Sequence, residues 1–223
     1  MIKLSERLLS VVNFIDIDDA LVDVGCDHGY LSIYLMQNKL CQKVIATDIN
    51  QNALNNAIYN IKRNNLNIET ILSDGLEKVN LNNINTLVIT GMGTATILHI
   101  LKSADLNNIK KIIIQSNNDY TLLRENMNKL GYYLIDDDEV FDKNIWYVTM
   151  KFVKSEKKND LNIINYGYLN NSLYCNYLVE KYRDILKKVP DYLIEERNLY
   201  LDKIAYIEKN LKSKHVKNVD TEK

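Results

Sequence analysis

The run Asp23-Val24-Gly25-Cys26-Asp27-His28-Gly29 sets two glycines four residues apart among side chains that can accept or donate hydrogen bonds. Where a strand turns sharply into a helix, Gly25 permits close approach of a ligand and Gly29 permits tight helix packing. Asp48 stands 23 residues beyond Gly25 at the end of the next apolar run, followed by Ile49. A carboxylate at that spacing suits two ribose hydroxyls. Asp74-Gly75 ends a third run and can offer a carboxylate to an adenine amino group beside a compact turn. Together these positions fit an adenosine, although each alone also fits a turn or a helix cap.

Chemistry of this kind needs strands whose ends converge. The segment 2–14 reads as a docking helix with Leu4, Leu8 and Val11 on one side, interrupted by Asp16 to Asp19. Strands are expected through Val24, over 43–48, over 68–72, over 86–90 ahead of Gly91-Met92-Gly93, and over 111–115 ahead of Ser116-Asn117. Helices are expected after the first two, and over roughly 94–104 and 119–130. Apolar runs without strict alternation, interleaved with helices, indicate an α/β fold with a parallel sheet covered on both faces. Ligands then bind beyond the carboxyl ends of the strands, where all these residues fall. After Gly131, YYLIDDDEVF and NIWYVTMKFV read as two strands joined by a DKN turn, closing the sheet with an antiparallel edge.

A polar stretch from Ser155 to Asn165 ends this first domain, assigned to residues 1–155. Beyond it, Leu173–Leu186 and Tyr192–Leu211 are expected as two long helices, with Pro190 ending the first. Leu199, Tyr200, Ile204, Ile207 and Leu211 recur at three- and four-residue spacing, so residues 166–215 read as a coiled-coil-like helical hairpin. Its role is open between packing or dimerisation and a substrate-contacting arm.

The formal net charge is -1, which excludes a uniformly basic surface, but residues 1–150 carry -5 and residues 151–223 carry +4. Cys26, Cys41 and Cys175 are too far apart for a metal cluster, and no metal is expected. No run reaches the roughly 18 apolar residues of a membrane helix, so the chain is expected to be a soluble, cytoplasmic protein with reduced thiols. Monomer and weak dimer both stay open.

The first loop lacks the full GxGxxG, no second nucleotide-binding half follows, and the antiparallel edge suits a methyltransferase sheet. These points favour a methyl donor over a dinucleotide, and the lack of a Walker A lysine motif disfavours ATP hydrolysis. The span DVGCDHGYLSIYL resembles the ADIGSDHAYLPIYL signature of bacterial tRNA (adenine-22) N1-methyltransferases. Arg7-Leu8, Ser73-Asp74-Gly75-Leu76, Gly91-Met92-Gly93 and Ile114-Gln115-Ser116-Asn117 are similar to that family's RL, GDGL, GMGG and LQPN segments. Gly29 replaces the usual alanine, Thr94 the second glycine of the GG pair, and Ser116 the proline before Asn117.

The resemblance implies a class I Rossmann-like methyltransferase sheet with an antiparallel edge strand and a C-terminal helical hairpin. It also implies S-adenosyl-L-methionine as donor and tRNA as acceptor, with transfer to N1 of adenine 22. Donor contacts are then expected from Arg7, Asp23, Gly25, Asp48, Ile49, Asp74, Gly75, Gly91, Met92 and Gly93. Neutral adenine N1 carries its own lone pair, so orientation matters more than a general base. Positive charge develops in the ring, and Asp27 is the expected carboxylate to stabilise it, with donor-side and capping roles as alternatives. His28 would orient Asp27 or bond the target, and Asn117 would present its amide to the adenine edge. Tyr30 would stack on the base or pack in the core. Lys181, Arg183, Lys187, Lys188 and Arg197 would contact phosphates or serve as solvated surface charges. The competing readings are methylation of another RNA adenine or a small molecule, and a non-catalytic donor-sensing or RNA-binding module.

Overall fold

The computed structural model describes residues 2–220, with side chains described as far as Lys212. The described residues divide into two compact units, one ending at Gly167 and the other beginning at Tyr168.

The first unit is built on a seven-stranded sheet: β1 (Ala20–Val24), β2 (Lys43–Asp48), β3 (Glu69–Leu72), β4 (Thr86–Met92), β5 (Lys111–Ser116), β6 (Tyr132–Asp142) and β7 (Ile145–Lys154). The spatial order is β3-β2-β1-β4-β5-β7-β6. All neighbours are parallel except β7, which runs antiparallel to β5 and to β6. The central strands carry unbroken apolar runs because both their faces are covered: Leu21, Val22, Leu87, Val88, Ile89, Ile112, Ile113 and Ile114 are all buried. The chain begins in the middle of the sheet, winds outward to β3 and returns to β4. That reversal opens a crevice between β1 and β4 at their carboxyl ends.

The helices of this unit are α1 (Glu6–Val12), α2 (Tyr30–Gln37), α3 (Gln51–Arg63), α4 (Thr94–Ser103), α5 (Tyr120–Lys129) and α6 (Leu161–Tyr166). Asparagine weakens helix propensity, so α3 depends on burying Leu54, Ala57 and Ile61, and on Asn50, whose side chain accepts from the N–H groups of Asn52 and Ala53. The helix α1 is shorter than the expected 2–14. The Asp16 to Asp19 segment does more than interrupt it. Lys111, buried at the foot of β5, places Nζ 2.5 Å from carboxylate oxygens of both Asp16 and Asp19, and Thr86 donates to Asp19 at 2.7 Å. The Lys111 hydrogen bond holds the Asp16 carboxyl below the usual range.

The polar stretch from Ser155 to Asn165 contains most of helix α6, which the sequence reading did not assign. Asp160 caps it, accepting from the N–H groups of Asn162 and Ile163 at 2.9 Å each. Buried Asn159 exchanges two hydrogen bonds with the backbone of Leu134, which ties the segment to β6. The first unit consequently runs to Gly167 rather than ending at 155.

The second unit is a hairpin of α7 (Ser172–Leu186) and α8 (Ile194–Asp220). The second helix starts two residues later than expected, because Leu193 N–H bonds the Pro190 carbonyl in a turn, and it runs on past Leu211 and past residue 215. Tyr182 faces Tyr200 at 5.9 Å between ring centres, and Arg183 of α7 reaches Glu208 of α8 at 2.6 Å.

Candidate active site

The three strand-end turns meet at the crevice. Gly25, at φ 76°, follows β1 directly in the left-handed region that strains any side chain; a Cβ there would also lie 2.3 Å from the Met92 methyl, which would have to swing aside. Its N–H and that of Cys26 bond the Thr47 carbonyl at 2.9 and 2.8 Å, which ties the first loop to β2. Asp27 is also left-handed, at φ 50°, an uncommon conformation for a residue with a side chain. This geometry turns the Asp27 N–H onto the Asp48 carboxylate at 3.0 Å and leaves the Asp27 side chain 71% exposed.

Two adjoining cavities result. The first, about 260 Å³, is lined by Gly25, Asp48, Ile49, Asp74, Gly75, Gly91 and Met92 among others. The second, about 410 Å³, is lined by Arg7, Asp23, Gly25, Asp27, His28 and Tyr30 among others. Gly25, Thr90 and Gly91 belong to both walls, so the two recesses adjoin at these residues. Gly91, at φ 75°, sits where the β4–β5 register slips, between the Thr90–Gln115 and Met92–Ser116 pairs.

The cavities differ in chemistry. In the smaller one, Asp48 already accepts from Asn50 N–H at 2.8 Å and from Asp27 N–H, leaving lone pairs for further donors. The buried Thr47 hydroxyl beside it has no hydrogen-bond partner. In the larger one, buried Asp23 accepts from the Ser32 hydroxyl at 2.6 Å, and desolvation, reinforced by the nearby Asp48 charge, pushes its carboxyl up to about 6. Burial also raises the Cys26 thiol, with Asp23 and Asp48 adding to the effect, so it is no ready nucleophile.

Across the larger cavity stands Arg7. Its guanidinium donates to Gln115 at 3.0 Å and lies 5.5 Å from the Tyr147 ring. Gln115 is the buried hub that locks α1 in place: its amide nitrogen donates to the Arg7 carbonyl at 3.0 Å and to Thr149 at 2.7 Å. Sequence reasoning placed Gln115 in a motif but gave it no role, since its partners lie 108 and 34 residues away. Thr90, shared by both walls, was also missed.

At the rim, His28 Nε2 is 3.7 Å from the Asp27 carboxylate, and its ring stacks on Tyr30 at 5.5 Å. The His28 carbonyl is held by Asn60 of α3. Asn117 and Gly93 line neither cavity. Asn117 is exposed and donates from its side chain to the Gly91 carbonyl at 2.8 Å, and Gly93 precedes α4.

The basic residues of the hairpin lie in the second unit. Arg183, Lys187, Lys188 and Arg197 line a recess at its turn. Arg183 pairs with Glu180 and Glu208, and Lys187 with Asp184. Arg197 donates to the Leu186 and Val189 carbonyls, closing the end of α7, and Lys181 lies over the Tyr177 ring. No helix among the described residues is long and apolar enough to cross a membrane.

Residues 4–150 match the methyltransferase domain family. The tRNA (adenine(22)-N(1))-methyltransferase of Bacillus subtilis is 33% identical over 140 residues, a match spanning 61% of this chain and 59% of that protein. The structure of M. capricolum TrmK with S-adenosyl-homocysteine superposes with a TM-score of 0.80 at 32% identity, covering 94% of this chain and 98% of that one. A protein in the NADB-Rossmann superfamily from Streptococcus agalactiae superposes with a TM-score of 0.83 at 27% identity, covering 94% and 98%. A domain match over most of the chain, joined to a near full-length likeness above 30% identity, places the protein: it belongs to the methyltransferase domain family, among the bacterial tRNA (adenine-22) N1-methyltransferases.

Proposed function

We propose that this protein transfers the methyl group of S-adenosylmethionine to N1 of adenine 22 in tRNA. The observation that carries the reading is the junction of the two cavities at Gly25, Thr90 and Gly91, which lets one elongated ligand occupy both. Asp48 would take the ribose hydroxyls and Asp74 the adenine amino group, with Ile49 and Met92 against the base. Asp23 would face the donor's ammonium and Arg7 its carboxylate. When bound, the donor supplies an electrophilic methyl group on a sulfonium.

The chain's own residues then act on the acceptor. Adenine N1 needs no deprotonation, so the demand is to hold its lone pair in line. Asp27, whose carboxylate is exposed at the rim, stabilises the positive charge that grows in the ring and its amino group. His28 and Tyr30, stacked on each other beside Asp27, offer an aromatic edge against which a base can rest. Asn117, with its amide nitrogen engaged by Gly91, keeps its oxygen for the adenine amino group. Because N1 is shielded in folded RNA, the target base must leave its stack to reach this rim. Lys187, already paired with exposed Asp184, and Lys188 would contact phosphates at the hairpin turn, whereas Arg197 is engaged in closing α7.

Incubating the protein with donor and unmodified tRNA, then analysing nucleosides and mapping the position, tests the reading. N1-methyladenosine at position 22 is expected. Methylation confined to another position would move the substrate, and binding of donor and tRNA without transfer would replace the enzyme with a sensing module.

A further inference from the structure

Thr94, the first residue of α4, and Ser116, the last residue of β5, are two departures from the family pattern that touch. Their hydroxyl oxygens are 2.8 Å apart, and both residues are buried. Thr94 Oγ1 also bonds the Asn118 carbonyl at 2.6 Å, while its N–H donates to the Asn118 side-chain oxygen at 2.9 Å. Ser116 Oγ approaches the same Asn118 carbonyl at 2.9 Å and accepts from Asn118 N–H at 3.3 Å. Either hydroxyl can donate across the pair, because each also reaches the Asn118 carbonyl as an acceptor. Neither hydroxyl lines a cavity. Ser116 and Asn118 flank the exposed Asn117, whose backbone N–H bonds the Met92 carbonyl at 2.9 Å and whose side chain donates to the Gly91 carbonyl.

We propose that Thr94 and Ser116 are positioning residues that act as one unit, fixing Asn117 against the Gly91-Met92 wall so that its free oxygen meets the target base. A proline can stiffen a loop through its ring; here a hydroxyl bridge between the start of α4 and the end of β5 does so. Loss of either hydroxyl frees the 116–119 loop, and displacement of a base-holding group by a fraction of an ångström slows transfer. This inference rests on the adenine-methylating reading.

The test uses the full chain with Thr94→Val, Ser116→Ala, the double variant, and Thr94→Ser as the conservative replacement. Single-turnover transfer to tRNA at saturating donor is expected to fall about tenfold in each single variant. The double variant should fall no more than about twofold further, because the two hydroxyls work together. S-adenosyl-homocysteine affinity should stay within about twofold, and Thr94→Ser should recover most of the rate. Unchanged rates, multiplying losses, or an equal loss of S-adenosyl-homocysteine affinity would overturn the proposal. Hydrogen exchange of the Asn117–Asp119 amides separates it from the broader reading: if the wild-type protein transfers no methyl group, that reading fails. The bridge then stands if exchange is at least about tenfold faster in Thr94→Val and falls if exchange is unchanged.

Discussion

The backbone N–H of Asp27 donates to the carboxylate of Asp48 at 3.0 Å, across 21 residues of chain. The residue best placed to hold the donor ribose therefore also fixes the loop that carries the residue best placed to stabilise the acceptor. Asp27 reaches this geometry in a left-handed conformation, and Asn50 steadies the other oxygen of Asp48.

Asp48→Ala should weaken S-adenosyl-homocysteine binding at least tenfold, since hydrogen bonds to a charged group are worth about 1.5–3 kcal/mol each. It should also slow single-turnover transfer at saturating donor, because the Asp27 loop loses its tether. Calorimetry and rapid-quench assays measure the two effects separately; undiminished affinity would remove Asp48 from the donor site.

Asp27→Asn and Asp27→Gly should both slow transfer about 10- to 100-fold with little change in donor affinity. Their stabilities should differ. Glycine suits φ 50°, so Asp27→Gly should be up to about 1 kcal/mol more stable than the wild type in urea unfolding. A destabilised glycine variant would contradict the strain assigned to this position.

Asp23 gives a pH signature. Its folded carboxyl is raised to about 6 from an unfolded value near 3.8, so between those values the folded state binds more protons. Wild-type stability, relative to Asp23→Asn, should therefore fall by roughly 2 kcal/mol as pH rises from about 4 to 7, as order-of-magnitude linkage gives. Affinity for the cationic donor should run the other way, strengthening as Asp23 ionises. Parallel stability curves for the two proteins would show that Asp23 is not held protonated by burial.

Much of this site was legible because strand ends in a parallel sheet announce themselves: Asp23 one residue before the end of β1, Asp48 at the end of β2 and Asp74 two residues after β3 all stand beside a turn, and all three line the adjoining cavities. Gln115 was not legible in the same way. Its value lies in bonds to Arg7 and Thr149, and no local pattern records which distant partners a buried amide will find. Helix α6 was hidden for a different reason: a short, asparagine-rich segment has almost no apolar periodicity, and its Asp160 cap reads equally as loop chemistry. Arg197 shows the converse limit, since a surface arginine on a basic helix looks the same in sequence whether it meets phosphate or closes a neighbouring helix.

That distinction on the hairpin is measurable. Arg197→Ala should lower stability by about 1 kcal/mol through the lost bonds to Leu186 and Val189. The Lys187→Ala, Lys188→Ala pair should leave stability nearly unchanged but weaken tRNA binding and reduce its log-log salt slope by up to about 2. An unaltered salt slope would remove these lysines from the RNA contact.

The most direct measurement of the central claim is a crystal structure of this protein soaked with S-adenosylmethionine. The account predicts a single donor molecule spanning both cavities, with its ribose on Asp48, its adenine beside Asp74, and its amino acid between Asp23 and Arg7. A donor bound elsewhere, or confined to one cavity with its methyl group turned away from Asp27, would contradict it.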